Sequence, residues 1–438
     1  MKTFHLPLLC ALWALIFTPV TSLQAGETDV LLQILVRKGL LTAAEAAEVK
    51  AEMHDQKVEG EGASTPDAVS PASLAATRPP PVRVAVTKPG SRIVDSFTLY
   101  GRLQMQYVSL DSDRDMGDTN RFLVRRARIG AKVVLASDWL ADIDYTFSSG
   151  DFNKAVIGWG GDLGFGPIAI QAGLRKPYVG YEENTSSGSL NAIERSAATR
   201  FFTESNNGRR LGAAGYRVGI YLDGNPDATK GKVDGVYYGL AVTNPERPSD
   251  AAGAASTGIS GINTPATWAN LGYAGRVNDL TYTLGAGAGY LPDSGGRVAT
   301  AGNDLVIYSV YGDVRFGAFR VGGEYLTATV DGGIGAGTEV NPEGFWLQTE
   351  YAFNAHWLGA VRYSRVDSDG RGVRTSDGLR SAPSALVGDT LDELYAGFNY
   401  DIMGSDLRFQ LGYVYGHSVG PNGSETISGV RSQVQVNF

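Results

Sequence analysis

Arg126, Arg128 and Lys132 fall at even spacing in a stretch whose odd positions are apolar or small: Ala127, Ile129, Ala131 and Val133. Spacing at period two puts all three cations on one face of a strand. Arginine keeps its charge at any working pH, and its planar fork grips phosphate or carboxylate through two hydrogen bonds. Several forks in series can hand an anion along a wall. The same parity, followed strand by strand, puts Arg102, Arg217, Arg315, Arg320, Arg362, Arg408 and Arg431 on polar faces as well. Asp142, Asp144, Asp313, Glu324, Glu350 and Glu393 share those faces, so pairing across a wall is the competing reading for these other arginines. The stripe of Arg126, Arg128 and Lys132 reads as pore-lining.

Such a stripe must be carried by strands, and from Ser96 onward the chain reads as strands broken by Gly, Asn, Asp and Pro. The first sets Phe97, Leu99, Leu103, Met105 and Tyr107 against Thr98, Tyr100, Arg102, Gln104 and Gln106. The last sets Val434, Val436 and Phe438 against Arg431, Gln433, Gln435 and Asn437. In a soluble sandwich the polar face looks outward; in a membrane barrel it looks into the lumen. Aromatics at the ends of apolar faces, such as Tyr282 with Tyr290 and Phe345 with Tyr351 and Phe353, match interfacial girdles. Short turns alternate with longer polar loops at 244–267 and 367–388, read as extracellular. About sixteen stretches approach the ~9–11 residues of a tilted spanning strand. The expectation is an all-β, transmembrane antiparallel β-barrel of about 16 strands over residues 96–438, closed by pairing its last strand with its first.

Ahead of the barrel, Lys2, an apolar run from Leu6 to Phe17 and a small-residue exit at Ala25 read as a signal peptide over 1–25. Cys10 lies inside it, so the mature chain has no cysteine, which suits a Gram-negative envelope protein. Residues 26–57 read as a helical pair: Val30, Leu31, Ile34 and Leu35 share helical spacing, and Thr42-Ala43-Ala44-Glu45 spells a capping box. It is either a solvated appendage or a periplasmic oligomerisation segment. Residues 58–95, with Pro79-Pro80-Pro81, form a Pro/Ala/Ser-rich linker. Beyond the signal no apolar run reaches the ~18 residues of a spanning helix. A net charge of -8 without a basic domain excludes nucleic acid as a partner.

Two motifs are set aside. Gly416-His417-Ser418-Val419-Gly420 spells a nucleophile elbow, but no histidine or aspartate follows Ser418, and it reads as a hairpin loop. Asp111-Ser112-Asp113-Arg114-Asp115-Met116-Gly117 approximates a calcium loop with its glycine one place late and Phe122 where glutamate belongs. No enzyme activity, catalytic residue, metal site or cofactor is expected. Gly285, Gly287 and Gly289 read as small inward positions that widen the lumen or make room for an inserted loop.

At Arg121-Phe122-Leu123-Val124-Arg125-Arg126-Ala127-Arg128-Ile129-Gly130 the chain resembles the phosphate-selective porin O/P family. Gly173-Leu174-Arg175-Lys176-Pro177 and Glu194-Arg195-Ser196 are similar to two further family segments, in order. The resemblance runs from about Phe97 to Phe438. It implies a sixteen-stranded, homotrimeric channel for small anions such as phosphate in the outer membrane of a Gram-negative bacterium, among lipid and lipopolysaccharide. It carries a lumenal role to Arg125, Arg126, Arg128 and Lys176, and makes Phe438 the signal read by the barrel-assembly machinery. Phosphate-specific members have lysine-rich outer regions; residues 96–438 here hold five lysines, Lys132, Lys154, Lys176, Lys230 and Lys232. An organic-anion channel, an unselective pore, and a non-conducting barrel acting as adhesin or envelope anchor are the alternatives.

Overall fold

The computed structural model describes residues 94–114, 117–164, 166–205, 207–228, 233–245, 264–292, 304–332 and 337–438. The expected signal peptide, helical pair and nearly all of the linker lie outside these residues, as do Lys230, Lys232 and most of the 244–267 loop. The strands are β1 (Val94–Ser112), β2 (Thr119–Leu135), β3 (Trp139–Thr146), β4 (Asp151–Asp162), β5 (Pro167–Arg175) and β6 (Arg217–Gly224). Then come β7 (Gly235–Thr243), β8 (Ala266–Val277), β9 (Leu280–Leu291), β10 (Leu305–Phe316), β11 (Phe319–Asp331) and the two-residue β12 (Glu339–Val340). The set closes with β13 (Glu343–Ala352), β14 (Trp357–Asp367), β15 (Thr390–Asp401), β16 (Leu407–Gly420) and β17 (Gly423–Asn437).

Every pairing is antiparallel between neighbours, and β1 pairs with both β2 and β17, so the sheet closes on itself as a sixteen-stranded barrel with β12 as a short extension beside β11. Closure removes both edges, which matters where no water can satisfy an open strand. Outward positions expose the apolar half of each alternation: Ile220 is 62 % exposed, Leu271 60 % and Val310 59 %. So continuous an apolar band is untenable in water and matched to lipid. Aromatics gather into two belts. Phe316, Phe319, Tyr351, Phe353 and Phe398 ring the end with tight turns, and Tyr308, Tyr325, Phe345 and Tyr363 the end with long loops.

Inward positions carry amides and charges. At the closing seam, Gln104 bonds Gln435 at 2.5 Å, Gln106 bonds Gln433 at 2.8 Å, and Gln433 bonds Gln410 at 2.6 Å. The apolar core is also inside. The connection 176–216 folds into the barrel, where Val179, Ala197, Ala198, Phe201, Phe202 and Leu211 pack against Trp268, Ile307, Leu326, Val366 and Leu391 of the wall. Burying a phenylalanine is worth roughly 1.5–3 kcal/mol, so Phe201 and Phe202 together hold the loop in. Gly287 makes the room: a Cβ there would lie 3.0 Å from the Tyr178 carbonyl oxygen.

Two sequence expectations need correction. The stretch 367–388 does not stand outward. Val373 bridges Gly388, and Val373, Asp377 and Leu379 are buried, because Leu379 packs with Val108, Ile193 and Tyr395 inside the barrel. Gly416–Gly420 is the end of β16 and not a hairpin loop: each of its residues pairs with β17, and the turn falls at Pro421 and Asn422.

The seam depends on a glycine. Gly101 and Phe438 exchange backbone hydrogen bonds at 2.8 and 3.2 Å, and a Cβ on Gly101 would meet the Phe438 ring at 2.3 Å. Gly101→Leu is therefore expected to displace the terminal ring and lower the yield of the folded, fast-migrating band in unheated SDS gels several-fold. Gly117→Leu serves as the control, since its Cβ would have nothing within 4 Å, although its positive φ adds local strain.

Candidate functional site

The three motif segments lie in different parts of the chain and converge on the inward loop. Gly173 adopts φ +129 beneath the Ala155 carbonyl, which a Cβ would approach to 2.1 Å; only glycine fits so close an approach at that angle. Two residues later Arg175 grips Asp223 at 2.6 Å between the faces of Tyr178 and Tyr221. Lys176 follows, held to Glu183 through the carboxylate at 2.5 Å and the carbonyl at 2.6 Å. Arg195 joins the other oxygen of Glu183 at 3.2 Å and donates to the carbonyls of Glu182, Glu183 and Thr185. Ser196 caps helix α2 (Ala197–Thr203), accepting from the Thr199 amide and donating to Glu182 at 2.7 Å. A short helix α1 (Tyr181–Asn184) precedes it.

Wall carboxylates and one wall hydroxyl receive the loop's backbone. Glu324 accepts from the amides of Tyr181 and Glu182, Glu393 from Ala197, and Ser364 from Ala198. The central tie is Glu194. It receives Arg125 of β2 as a two-pronged contact, Gln106 of β1 at 3.1 Å, and Arg380 of the second inward connection at 3.3 Å. Glu204 is shared among Arg200, Arg210 and Arg380, and Asp377, within helix α3 (Thr375–Gly378), takes Arg209 at 2.7 Å. Both connections are thus bolted to the wall and to each other. Burial works to raise the loop's carboxyl pKa values, but the cations win: Arg195 and Lys176 bring Glu183 down to about 2, and Arg125 and Arg380 hold Glu194 well below the usual carboxylate range.

Strict alternation would turn Arg125 outward. A bulge in β2 prevents this, since Gln104 pairs with Arg126 while Met105 pairs with Val124, and Arg125 has no register partner. Two consecutive arginines therefore face inward. The other sequence candidates separate into two groups. Arg102 and Arg128 stand opposite each other across β1 and β2; Arg102 bonds Ser186, Ser187 and Asn437, and the Arg128 Nε has no partner. Arg126 donates to Gln104 at 2.7 Å and is buried, while Lys132 is exposed. Among the described residues none of these four cations has a carboxylate within ion-pair distance.

The second group is spoken for. Arg320 is split between Asp313 at 2.6 Å and Glu350 at 2.8 Å, and Arg362 between Glu182 at 3.1 Å and Glu393 at 2.8 Å. Arg408 holds Asp401 and Asn191, and Arg315 reaches Asp313 at 3.4 Å. Arg217 is fully buried, donating to the carbonyls of Gly212, Gly215 and Pro245 over the Trp268 ring, where no solute reaches it. Phe438 sits 60 % exposed at the rim with tight turns. Glu182, Glu183, Glu204 and Arg380 lay outside the sequence reading; their only sequence mark is a density of acids and arginines in a long connection.

A family model for the phosphate-selective porins O and P matches residues 97–438. Among solved structures, the chain resembles an anion-selective porin from Comamonas acidovorans with a TM-score of 0.54 at 11 % identity, covering 78 % of this chain and 99 % of that one. It also resembles OprB of Pseudomonas putida with a TM-score of 0.51 at 12 % identity, covering 79 % and 94 %. No curated protein matches the sequence.

The loop lock makes two predictions. Glu183 and Glu194 have folded pKa values below their unfolded ones, so their contribution is present above the ordinary carboxylate value of about 4.3 and is lost as pH falls through the folded value, about 2 for Glu183. Limited pepsin digestion is expected to cut the 176–216 connection increasingly over that acid window while the barrel strands persist; uniform resistance down to pH 2 would contradict it. Glu194→Gln leaves Arg125 without its carboxylate and Arg380 with Glu204 alone, a loss of about 3–5 kcal/mol for a broken buried pair, and should make trypsin cleave in the 195–210 segment at least tenfold faster at neutral pH.

Proposed function

The chain belongs to the phosphate-selective porin O and P family, an outer-membrane channel and not an enzyme, and we propose that it passes small hydrophilic solutes with a preference for anions, phosphate among them. One observation carries this reading: Arg102, Arg126, Arg128 and Lys132 lack carboxylate partners on the β1–β2 wall, while the acids of the inward loop are consumed in ion pairs. A wall with cations to spare beside a neutralised loop gives a passing anion partners at Arg128 and Lys132 and gives a passing cation fewer.

Assembly as a homotrimer belongs to the same proposal. β3, β5, β6 and β7 have only 8 or 9 residues. At ~3.3 Å per residue and a tilt near 45° such strands rise roughly 20 Å, short of the ~25 Å apolar band that lipid requires. A wall that low is suited to a neighbouring subunit. Phe438, exposed at the end of the closing strand, is the group offered to the assembly machinery, and the outward aromatic belts face lipid and lipopolysaccharide.

A second reading, a non-conducting barrel serving as an anchor, is supported by how fully the inward loops cover lumenal side chains such as Gln104 and Gln435, both essentially unexposed. Planar-bilayer recording separates the two. The expected result is conductance closing in three steps, with reversal potentials in a salt gradient that mark anion preference for chloride, acetate and phosphate. Arg128→Glu and Lys132→Glu should each lower the anion-to-cation permeability ratio several-fold without altering the three-step closure. A cation preference in the wild type would defeat the proposal, and absent conductance would favour the anchor.

A further inference from the structure

Between the two inward connections and the β14–β17 wall lies a pocket with room for about one small body. Four arginines line it, Arg195, Arg362, Arg380 and Arg431, against two glutamates, Glu194 and Glu393. The available carboxylates are already spent. Arg362 takes Glu393 and Glu182, Arg195 takes Glu183, and Arg380 takes Glu194 and Glu204, which are themselves shared with Arg125, Arg200 and Arg210.

Arg431 is left over. It is 2 % exposed, its Nη2 donates to the Arg380 carbonyl, and its Nη1 is buried with no partner. An uncompensated buried charge is a heavy burden on a fold, and most ionisable groups escape it by changing protonation. Guanidinium does not lose its proton in a protein, so what Nη1 lacks beyond the shared field of Glu194 and Glu393 comes from a bound body, and a negative ion answers both the open donor and the surplus positive charge. The pocket also sets the size and charge of that ion. Room for one small body, next to two carboxylates, disfavours a polyatomic dianion such as hydrogen phosphate and suits a compact monovalent ion.

We propose that this pocket is a halide site, in which one chloride sits against Arg431 Nη1 and acts as the fixed counter-ion joining the last strand to both inward connections. The site is separate in kind from the half-buried Arg128 and exposed Lys132, because its ion is held and not passed. It therefore stands whether or not the channel prefers anions.

The test uses the full protein purified in detergent, in sodium bromide and in sodium gluconate at equal ionic strength. Anomalous diffraction is expected to show a bromide peak within hydrogen-bonding distance of Arg431 Nη1. The thermal midpoint for loss of trypsin resistance in the 176–216 connection should stand several degrees higher in bromide or chloride than in gluconate. Arg431→Leu should remove both the peak and the salt dependence; if that variant does not fold, the wild-type peak and midpoints decide alone. No peak at Arg431, peaks confined to Arg128 and Lys132, or equal midpoints in the two salts would each overturn the proposal.

Discussion

Glu194 is the point on which the interior depends. One buried carboxylate receives a guanidinium from the β2 wall, an amide from the β1 wall and a guanidinium from the second inward connection. Removing it would leave the Arg125 guanidinium without a counter-charge and Arg380 with Glu204 alone. The geometry that allows it is a one-residue bulge. Without the extra residue at Arg125, that guanidinium would point to lipid, and the loop would have no anchor on β2. A local irregularity in one strand thus supplies the connection's anchor on β2.

Energetically the protein is built inside out. The wall gives its apolar side chains to lipid and removes its open edges by closing on itself. What remains for the interior is polar, and an inserted loop brought into such a space needs two kinds of adhesive. Phe201 and Phe202 supply the first, packed against Trp268, Ile307 and Val366. Carboxylates on the wall supply the second by receiving backbone amides at the start of α1 and α2, from Glu324 and Glu393. Because each acid of the loop is spent on holding it, the charge left facing open space is positive and concentrated on β1 and β2. Anchoring and the sign of the remaining charge are in this sense one arrangement: the ion pairs that fix the loop also neutralise its acids.

The placement of individual residues shows where sequence reasoning reached and where it stopped. Period-two alternation was enough to put Arg126, Arg128 and Lys132 on one face, and Gln433, Gln435 and Arg431 on another. It was not enough for Arg125, since a bulge breaks parity without leaving a distinctive residue type. It grouped Arg217 with the others because parity reports the face and not the surroundings; only the fold reveals three carbonyls and an indole closing over that guanidinium. The motifs Gly173 to Pro177 and Glu194 to Ser196 were visible as words, but nothing in their spacing shows that Lys176 and Arg195 share Glu183.

By itself the sequence determined the barrel: strand number, closure of last strand on first, and which face meets lipid all follow from a repeating two-residue pattern, and such patterns are local. The tertiary structure alone decided what fills the barrel. The inward course of 176–216 and 368–389, the sharing of five glutamates among the arginines around them and the open donor of Arg431 depend on contacts between residues up to 247 positions apart. Charge pairing is set by distance and burial in three dimensions, and a linear pattern carries neither.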